Sequence, residues 1–284
     1  MDYVRNEHCS EILLKQLYLA MRTMENRVGG GEGVEGIYGS ITETGVSKIM
    51  EALAECSGLG PSSTLVDVGA GLGRPLLHAM LAQGVSRAWG IEVDPVKCQK
   101  ARVFMEKSLE LLSEKSPSVS VDKIECPIVD CSPIETIKSL DPATHVYTFW
   151  EGIPSVAKRA LARLFCASRT CKAIALVQRA MRNKDPLLEL HALGFARVKV
   201  VDSFAVKMSG SGRTFRAYVV CKTEEGGNSQ NAQNAREPVL ELDQSRTPAK
   251  LARAKASKPV LIPFKKIKKK TKRAAAKRKD VIAI

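Results

Sequence analysis

Residues 66–75 read VDVGAGLGRP and set three alternating glycines, Gly69, Gly71 and Gly73, two residues after Asp67 at the end of the apolar run TLV. A strand that feeds such a turn into a helix offers backbone N–H groups and the positive helix end to a ligand. Spacing limits which ligand. A dinucleotide fingerprint needs G-x-G-x-x-G, but here the third glycine arrives one residue early and Arg74 stands where the last glycine belongs. A phosphate-cradling loop needs a following Gly-Lys-Ser/Thr, and none follows.

The acids narrow the choice further. Asp67, placed before the glycines, would repel a pyrophosphate and suits an ammonium group. Glu92, in WGIEVDP about twenty residues beyond the loop, stands where a carboxylate accepts the hydroxyls of a ribose. Asp130, in CPIVDC, is placed to accept from an adenine amino group. A ligand with an ammonium, a ribose and an adenine but no phosphate is S-adenosylmethionine.

The surrounding pattern must hold these residues at one end of a sheet. Strands are expected at 64–68, 87–93, 124–129, 144–150 and 172–178, separated by helical patterns at 75–83, 94–115, 133–139 and 154–167. This alternation predicts an α/β, Rossmann-like, mostly parallel sheet with helices on both faces. The segments ARVKVVDSFAVK and RTFRAYVVCK, joined by MSGSG, leave no room for a crossover helix and predict an antiparallel hairpin at the edge. Upstream, residues 10–25 place Ile12, Leu13, Leu17, Ala20, Met21 and Met24 on one helical stripe behind Ser10 as N-cap. A Gly-rich connector follows at 29–36, then a second amphipathic helix capped near Thr42 or Thr44 and stopped by Gly58.

Charge is distributed unevenly. The chain carries 44 Lys and Arg against 30 Asp and Glu, a net charge of +14. Residues 245–280 hold fifteen of those cations and a single acid, Asp280, so the tail carries the whole excess and the rest is balanced. Such a run, almost free of aromatic residues, neutralises phosphates rather than stacking bases. It also has the composition of a nuclear-localisation signal. The polar stretch before it, TEEGGNSQNAQNAREP, predicts a disordered linker. The expected division is therefore 1–36, an N-terminal helix and connector; 37–223, the catalytic domain; and 224–284, a linker and Lys/Arg-rich tail. Eight scattered cysteines without a C-x-x-C pair are expected to be reduced core thiols with no metal site. No apolar run approaches the ~20 residues of a membrane span, and the N-terminus is too polar for a secretory signal. An intracellular, specifically nuclear, location is expected.

On these motifs residues 37–222 resemble a class I S-adenosylmethionine-dependent methyltransferase, which implies a sheet order of 3-2-1-4-5-7-6. The tetrapeptide that amino-methylating nucleic-acid enzymes carry after strand four is absent. So is a Pro-Cys nucleophile, since Cys126 precedes Pro127. A narrower resemblance lies in GIYGSITETGVSKIMEAL at 36–53 and in FWEGIPSVAKRALARLF. Both are similar to segments of the disruptor-of-telomeric-silencing family, the non-SET histone lysine methyltransferases. This resemblance implies a cofactor pocket of Tyr38, Gly39, Thr42, the loop from Leu65 to Arg74 (with Asp67, Gly69, Ala70, Gly71 and Gly73), Glu92, Asp130 and Cys131. It also implies an acceptor site near Thr148, with Phe215 and Tyr218 as aromatic walls of a lysine channel. The family's paired asparagines are Tyr147 and Thr148 here, and Arg74 brings a positive charge close to a sulfonium.

The implied activity is methylation of a lysine in the core of nucleosomal histone H3. The partners would be nucleosomes, with DNA or other nucleic acid held by 245–284. Two alternatives stay open: methylation of another basic-complex protein or RNA, and an inactive methyltransferase fold that binds chromatin or RNA.

Overall fold

β1, Thr64–Val68, is buried along its whole length, as a strand covered on both faces must be. It pairs in parallel with β2, Arg87–Glu92, on one side and with β4, His145–Phe149, on the other. The computed structural model containing this sheet describes residues 7–28, 40–117 and 124–223, without side chains for 7–10 and 28. The chain separates into two units, Met1–Gly227 and Asn228–Ile284, and all described residues belong to the first. The Gly-rich connector at 29–36, Tyr38, Gly39 and the basic tail lie outside the described residues.

The remaining strands are β3, Ile128–Cys131; β5, Ala173–Gln178; β6, Val198–Lys207; and β7, Thr214–Lys222. Their order is β3-β2-β1-β4-β5-β7-β6, the order implied by the resemblance. β7 runs antiparallel to both β5 and β6, and the edge hairpin is the one expected from the short connection. This is a Rossmann-like, mostly parallel α/β architecture with an antiparallel last strand.

Apolar residues cover the sheet on two sides. α1, Glu7–Val28; α2, Glu43–Ser57; α3, Arg74–Ala82; and α4, Pro95–Lys115, share one core that includes Leu17, Met21, Ile49, Leu76 and Phe104. α5, Ser155–Ala167, and α6, Pro186–Ala192, cover the other with Leu161, Phe165 and Leu190 against Trp150 and Phe195. Local chemistry sets the helix ends. The Thr42 hydroxyl accepts from the Gly45 N–H and caps α2, which stops at Gly58 in the left-handed conformation at φ 75°. Asp94 caps α4 through Val96 and Lys97, with Pro95 in the first turn.

Four details depart from the sequence reading. α1 begins before Ser10, and Ile12 is 46% exposed, with Leu14 taking its place on the buried stripe. β3 starts at Ile128 rather than Ile124, because Pro127 has no N–H to give a ladder. The stretch 133–139 makes only one 3₁₀ turn, Ile134–Thr136; its apolar residues Ile134, Ile137 and Leu140 recur every third position, which fits a 3₁₀ turn rather than an α-helix. α6 is an addition to the expected elements, although Asp185 caps it through the Leu187 N–H and Pro186 opens it. The cysteines also divide: Cys171 and Cys221 are buried thiols, whereas Cys56 and Cys131 are exposed.

Candidate functional site

The glycine loop takes its shape from three left-handed residues, Gly69 at φ 81°, Gly71 at φ 56° and Gly73 at φ 80°. Gly73 also ends the loop against α4, where a Cβ would stand 2.4 Å from Met105 Sδ. The N–H groups of Gly69 and Ala70 both donate to the Ile91 carbonyl, at 2.8 and 3.1 Å, and tie the loop to β2. Glu92 completes the tie. Its carboxylate accepts from the Gly71 N–H at 2.9 Å, and from the Val93 and Asp94 N–H groups at 2.9 and 3.1 Å. The loop, Glu92 and the tips of β1 and β4 enclose a cavity of about 560 Å³.

Asp67 forms part of the cavity wall, paired in register with Gly90 on β2 and Tyr147 on β4. It is almost fully buried, and its Oδ1 has no hydrogen-bond partner. Burial, reinforced by the nearby Glu92 charge, holds its carboxyl well above the usual carboxylate range. A proton is therefore bound more tightly in the folded state than in the unfolded one. Without ligand, the stability contribution of Asp67 falls as pH rises from about 3.8 through the raised folded value. The Asp67→Asn protein will thus melt at a temperature increasingly above that of the unsubstituted protein as pH increases. Paired thermal melts across the acid and neutral range will check this, and a difference independent of pH would refute it.

Arg74 is also buried in this wall, and its guanidinium makes an ion pair with Glu25 of α1. Its charge also sits 5.9 Å from the Phe104 ring centre. The cation next to the cavity is therefore compensated, by a residue 49 positions away that carries no motif of its own. Ser40 and Ile41 form another part of the wall. They are held by the hairpin tip: the Thr42 N–H donates to the Lys207 carbonyl at 2.9 Å and the Ser209 N–H to the Ser40 carbonyl at 2.7 Å.

Several expected residues fall elsewhere. Asp130 and Cys131 are outside the cavity wall, with Cys131 exposed. β3 extends through Cys131, so Ser132 stands at its end. The Ser132 Oγ is buried without a partner and lines the cavity. Thr42 is engaged in capping α2. Thr148 faces away: its hydroxyl donates to the Val68 carbonyl at 2.8 Å inside the core. Side chains alternate along a strand, so Tyr147 and Phe149 are the β4 residues that line the cavity. The Tyr218 hydroxyl accepts from the Met181 N–H at 2.9 Å and is buried in the α5 side of the core, so it forms no channel wall. Phe215 packs edge-on against Phe149, with ring centres 5.1 Å apart, and supports that wall from behind.

Because Thr148 is an interior hydrogen-bond donor, Thr148→Val should cost about 1–2 kcal/mol of stability. Ligand affinity should be unchanged. Chemical denaturation and calorimetry on the same variant will check both, and a large drop in affinity at unchanged stability would return Thr148 to the site.

Neither described core histidine lines the cavity. Burial lowers His78 to about 3, with its Nδ1 2.9 Å from the Tyr18 hydroxyl. Burial lowers His145 to about 4, between Thr144 and Ser57. Among the described residues no group of three or more His, Cys, Asp or Glu is arranged to hold a metal ion, and no helix is long and apolar enough to cross a membrane.

No protein-family model matches the chain. It is 41% identical over 71 residues to the histone-lysine N-methyltransferase, H3 lysine-79 specific, of Cryptococcus neoformans var. neoformans serotype D. That stretch covers 25% of this chain and 10% of the fungal protein's length. Among solved structures, magnesium protoporphyrin IX methyltransferase of Synechocystis PCC 6803 with bound SAM is 12% identical, with a TM-score of 0.45. The match covers 78% of this chain and 100% of that one. A protein of Thermoplasma acidophilum is 10% identical with a TM-score of 0.47, covering 75% of this chain and 99% of that one.

Proposed function

We propose that the chain is an S-adenosylmethionine-dependent methyltransferase whose acceptor is a lysine in the core of nucleosomal histone H3. One constellation supports the cofactor reading: the unpartnered, buried Asp67 Oδ1 in the cavity wall, next to the Gly71–Glu92 tie. Asp67 would receive the ammonium of the cofactor, Glu92 the ribose hydroxyls, and Ser132 Oγ the adenine edge. The cofactor, when bound, supplies a methyl group on a positively charged sulfur, already activated for in-line displacement.

The chain's own residues then have to bind, orient and exclude water. Tyr147 and Phe149 give the acceptor side an aromatic surface, with Phe215 behind it. Such a surface favours the neutral form of a lysine amine, the form that has a lone pair, by desolvation. Burial, together with the Asp67 charge, holds the Tyr147 phenol well above its ordinary value, so it stays protonated and can only donate its proton or accept through oxygen. Support for the histone reading is the 41% identical stretch shared with the fungal H3 enzyme. The basic tail, proposed to hold DNA and to direct the chain to the nucleus, fits a nucleosomal acceptor.

Incubation with radiolabelled S-adenosylmethionine and, separately, nucleosomes, free histones and ribosomal RNA tests the reading. Label in H3 of nucleosomes is expected. Label in RNA or in another protein alone would replace the acceptor, and failure to bind cofactor at millimolar concentration in a calorimetric titration would overturn the enzyme.

A further inference from the structure

A second cleft opens beside the cofactor cavity, at the ends of β4 and β5 and along the β6–β7 hairpin, and its walls carry six basic side chains. They are Lys158 of α5, Arg179, Arg182 and Lys184 of the loop after β5, and Arg213 and Arg216 of the hairpin. Two carboxylates, Glu151 and Glu189, share the cleft. Glu151 pairs with Arg179 at 2.9 Å and Glu189 with Lys184 at 2.9 Å. Arg216 is fastened through the Ser203 hydroxyl and carbonyl, and the Lys158 ammonium sits 5.2 Å from the Trp150 ring centre. Desolvation lowers Lys158 from its ordinary value, offset in part by the nearby Glu151 charge. The described body is otherwise close to balanced in charge, so this concentration of cations marks one face.

We propose that this cleft docks the phosphodiester backbone of duplex DNA. The basic character disfavours a cationic peptide along these walls and favours a polyanion. Arginine dominates the set, and its planar fork pairs with phosphate oxygens. The aromatic residues of the cleft, Trp150 and Phe215, are both buried. Among the described residues no exposed aromatic ring lines it to stack an unpaired base, which single-strand binding requires, so the contact is with phosphates of a paired backbone. The placement has a functional sense that rests on the cofactor reading above: duplex gripped here would bring the acceptor it carries against the aromatic wall of the adjoining cavity.

The test uses the full chain and no cofactor, so it is independent of whether the cavity binds S-adenosylmethionine. Fluorescence anisotropy with a labelled duplex of about 20 base pairs, long enough to span several phosphates on each strand, compares the unsubstituted chain with Arg182→Glu/Arg213→Glu over a range of salt. A matched charge reversal away from the cleft, Arg87→Glu/Arg163→Glu, controls for net charge, and thermal melts confirm that each variant folds. The cleft variant should bind roughly tenfold or more weakly, and the slope of log affinity against log salt should shrink by about two, one for each phosphate no longer neutralised. The control should retain the slope. Equal behaviour of the two variants overturns the proposal. So does a greater loss, on the cleft reversal, of binding to double-stranded RNA, to the single strand or to polyglutamate than of binding to the DNA duplex.

Discussion

Replacing Glu92 with alanine will abolish measurable S-adenosylmethionine binding, a weakening of at least about a hundredfold, and will lower stability by about 2–3 kcal/mol through the removal of hydrogen bonds to a charged acceptor. The size of the effect follows from a double duty. In the ligand-free chain the carboxylate holds the Gly71, Val93 and Asp94 N–H groups, and so fixes both the loop and the turn into α4. The same group is placed to receive the ribose. Alanine removes a group that meets the ligand and lets the loop drift, whereas Glu92→Gln keeps one carbonyl acceptor and should keep part of the loop order. Calorimetric titration of both variants, with denaturant melts alongside, separates these contributions. Cofactor binding by Glu92→Ala at wild-type affinity would remove the cavity from the proposed function.

The second large effect concerns Glu25. Glu25→Ala will weaken S-adenosylmethionine roughly ten- to thirtyfold while leaving S-adenosylhomocysteine nearly unchanged. The discrimination arises because one ligand has a charged sulfur and the other does not. Arg74 is buried at the wall of the cavity with Glu25 as its counter-charge. Once that partner is gone, the guanidinium field reaches a sulfonium held by the loop. At an effective dielectric of about 20, a neighbouring unit charge left without its counter-charge is worth on the order of 1–2 kcal/mol, roughly ten- to thirtyfold in affinity. Stability should also fall, by about 1–2 kcal/mol, because the buried Arg74 loses its counter-charge while the partly exposed Glu25 carboxylate is itself screened by water. Parallel titrations with both ligands check the ratio, and an equal weakening of the two would attribute the effect to disordering of α1 instead.

The parts of this site legible in the sequence were those written in one short stretch. D-x-G-x-G-x-G and the acid at the end of β2 are local signals, and Asp67, the glycines and Glu92 came together as their spacing predicts. Residues that depend on register are less legible. The third strand extends one residue beyond Asp130, so the cavity receives Ser132 rather than Asp130. On β4 the period of two gives the cavity Tyr147 and Phe149 and turns Thr148 inward, an alternation that the resemblance to a paired-asparagine position does not carry. Glu25 had no local signal, since its partner Arg74 begins another helix far along the chain. α6 did have one, Asp185-Pro186 followed by an apolar run and Gly194, but seven residues give too little periodicity to stand out beside the hairpin.

The hairpin tip that clasps Ser40 and Thr42 also supplies Arg213 to the basic cleft. One element thus lines the basic cleft and, through its bonds to Ser40 and Thr42, positions part of the wall of the other cavity. Two ligands that each favour the same placement of the hairpin would bind with positive cooperativity, and thermodynamic reciprocity then requires the polyanion to tighten the small molecule by the same factor that the small molecule tightens the polyanion. The clasp would make engagement of a substrate and loading of the methyl donor a single linked equilibrium.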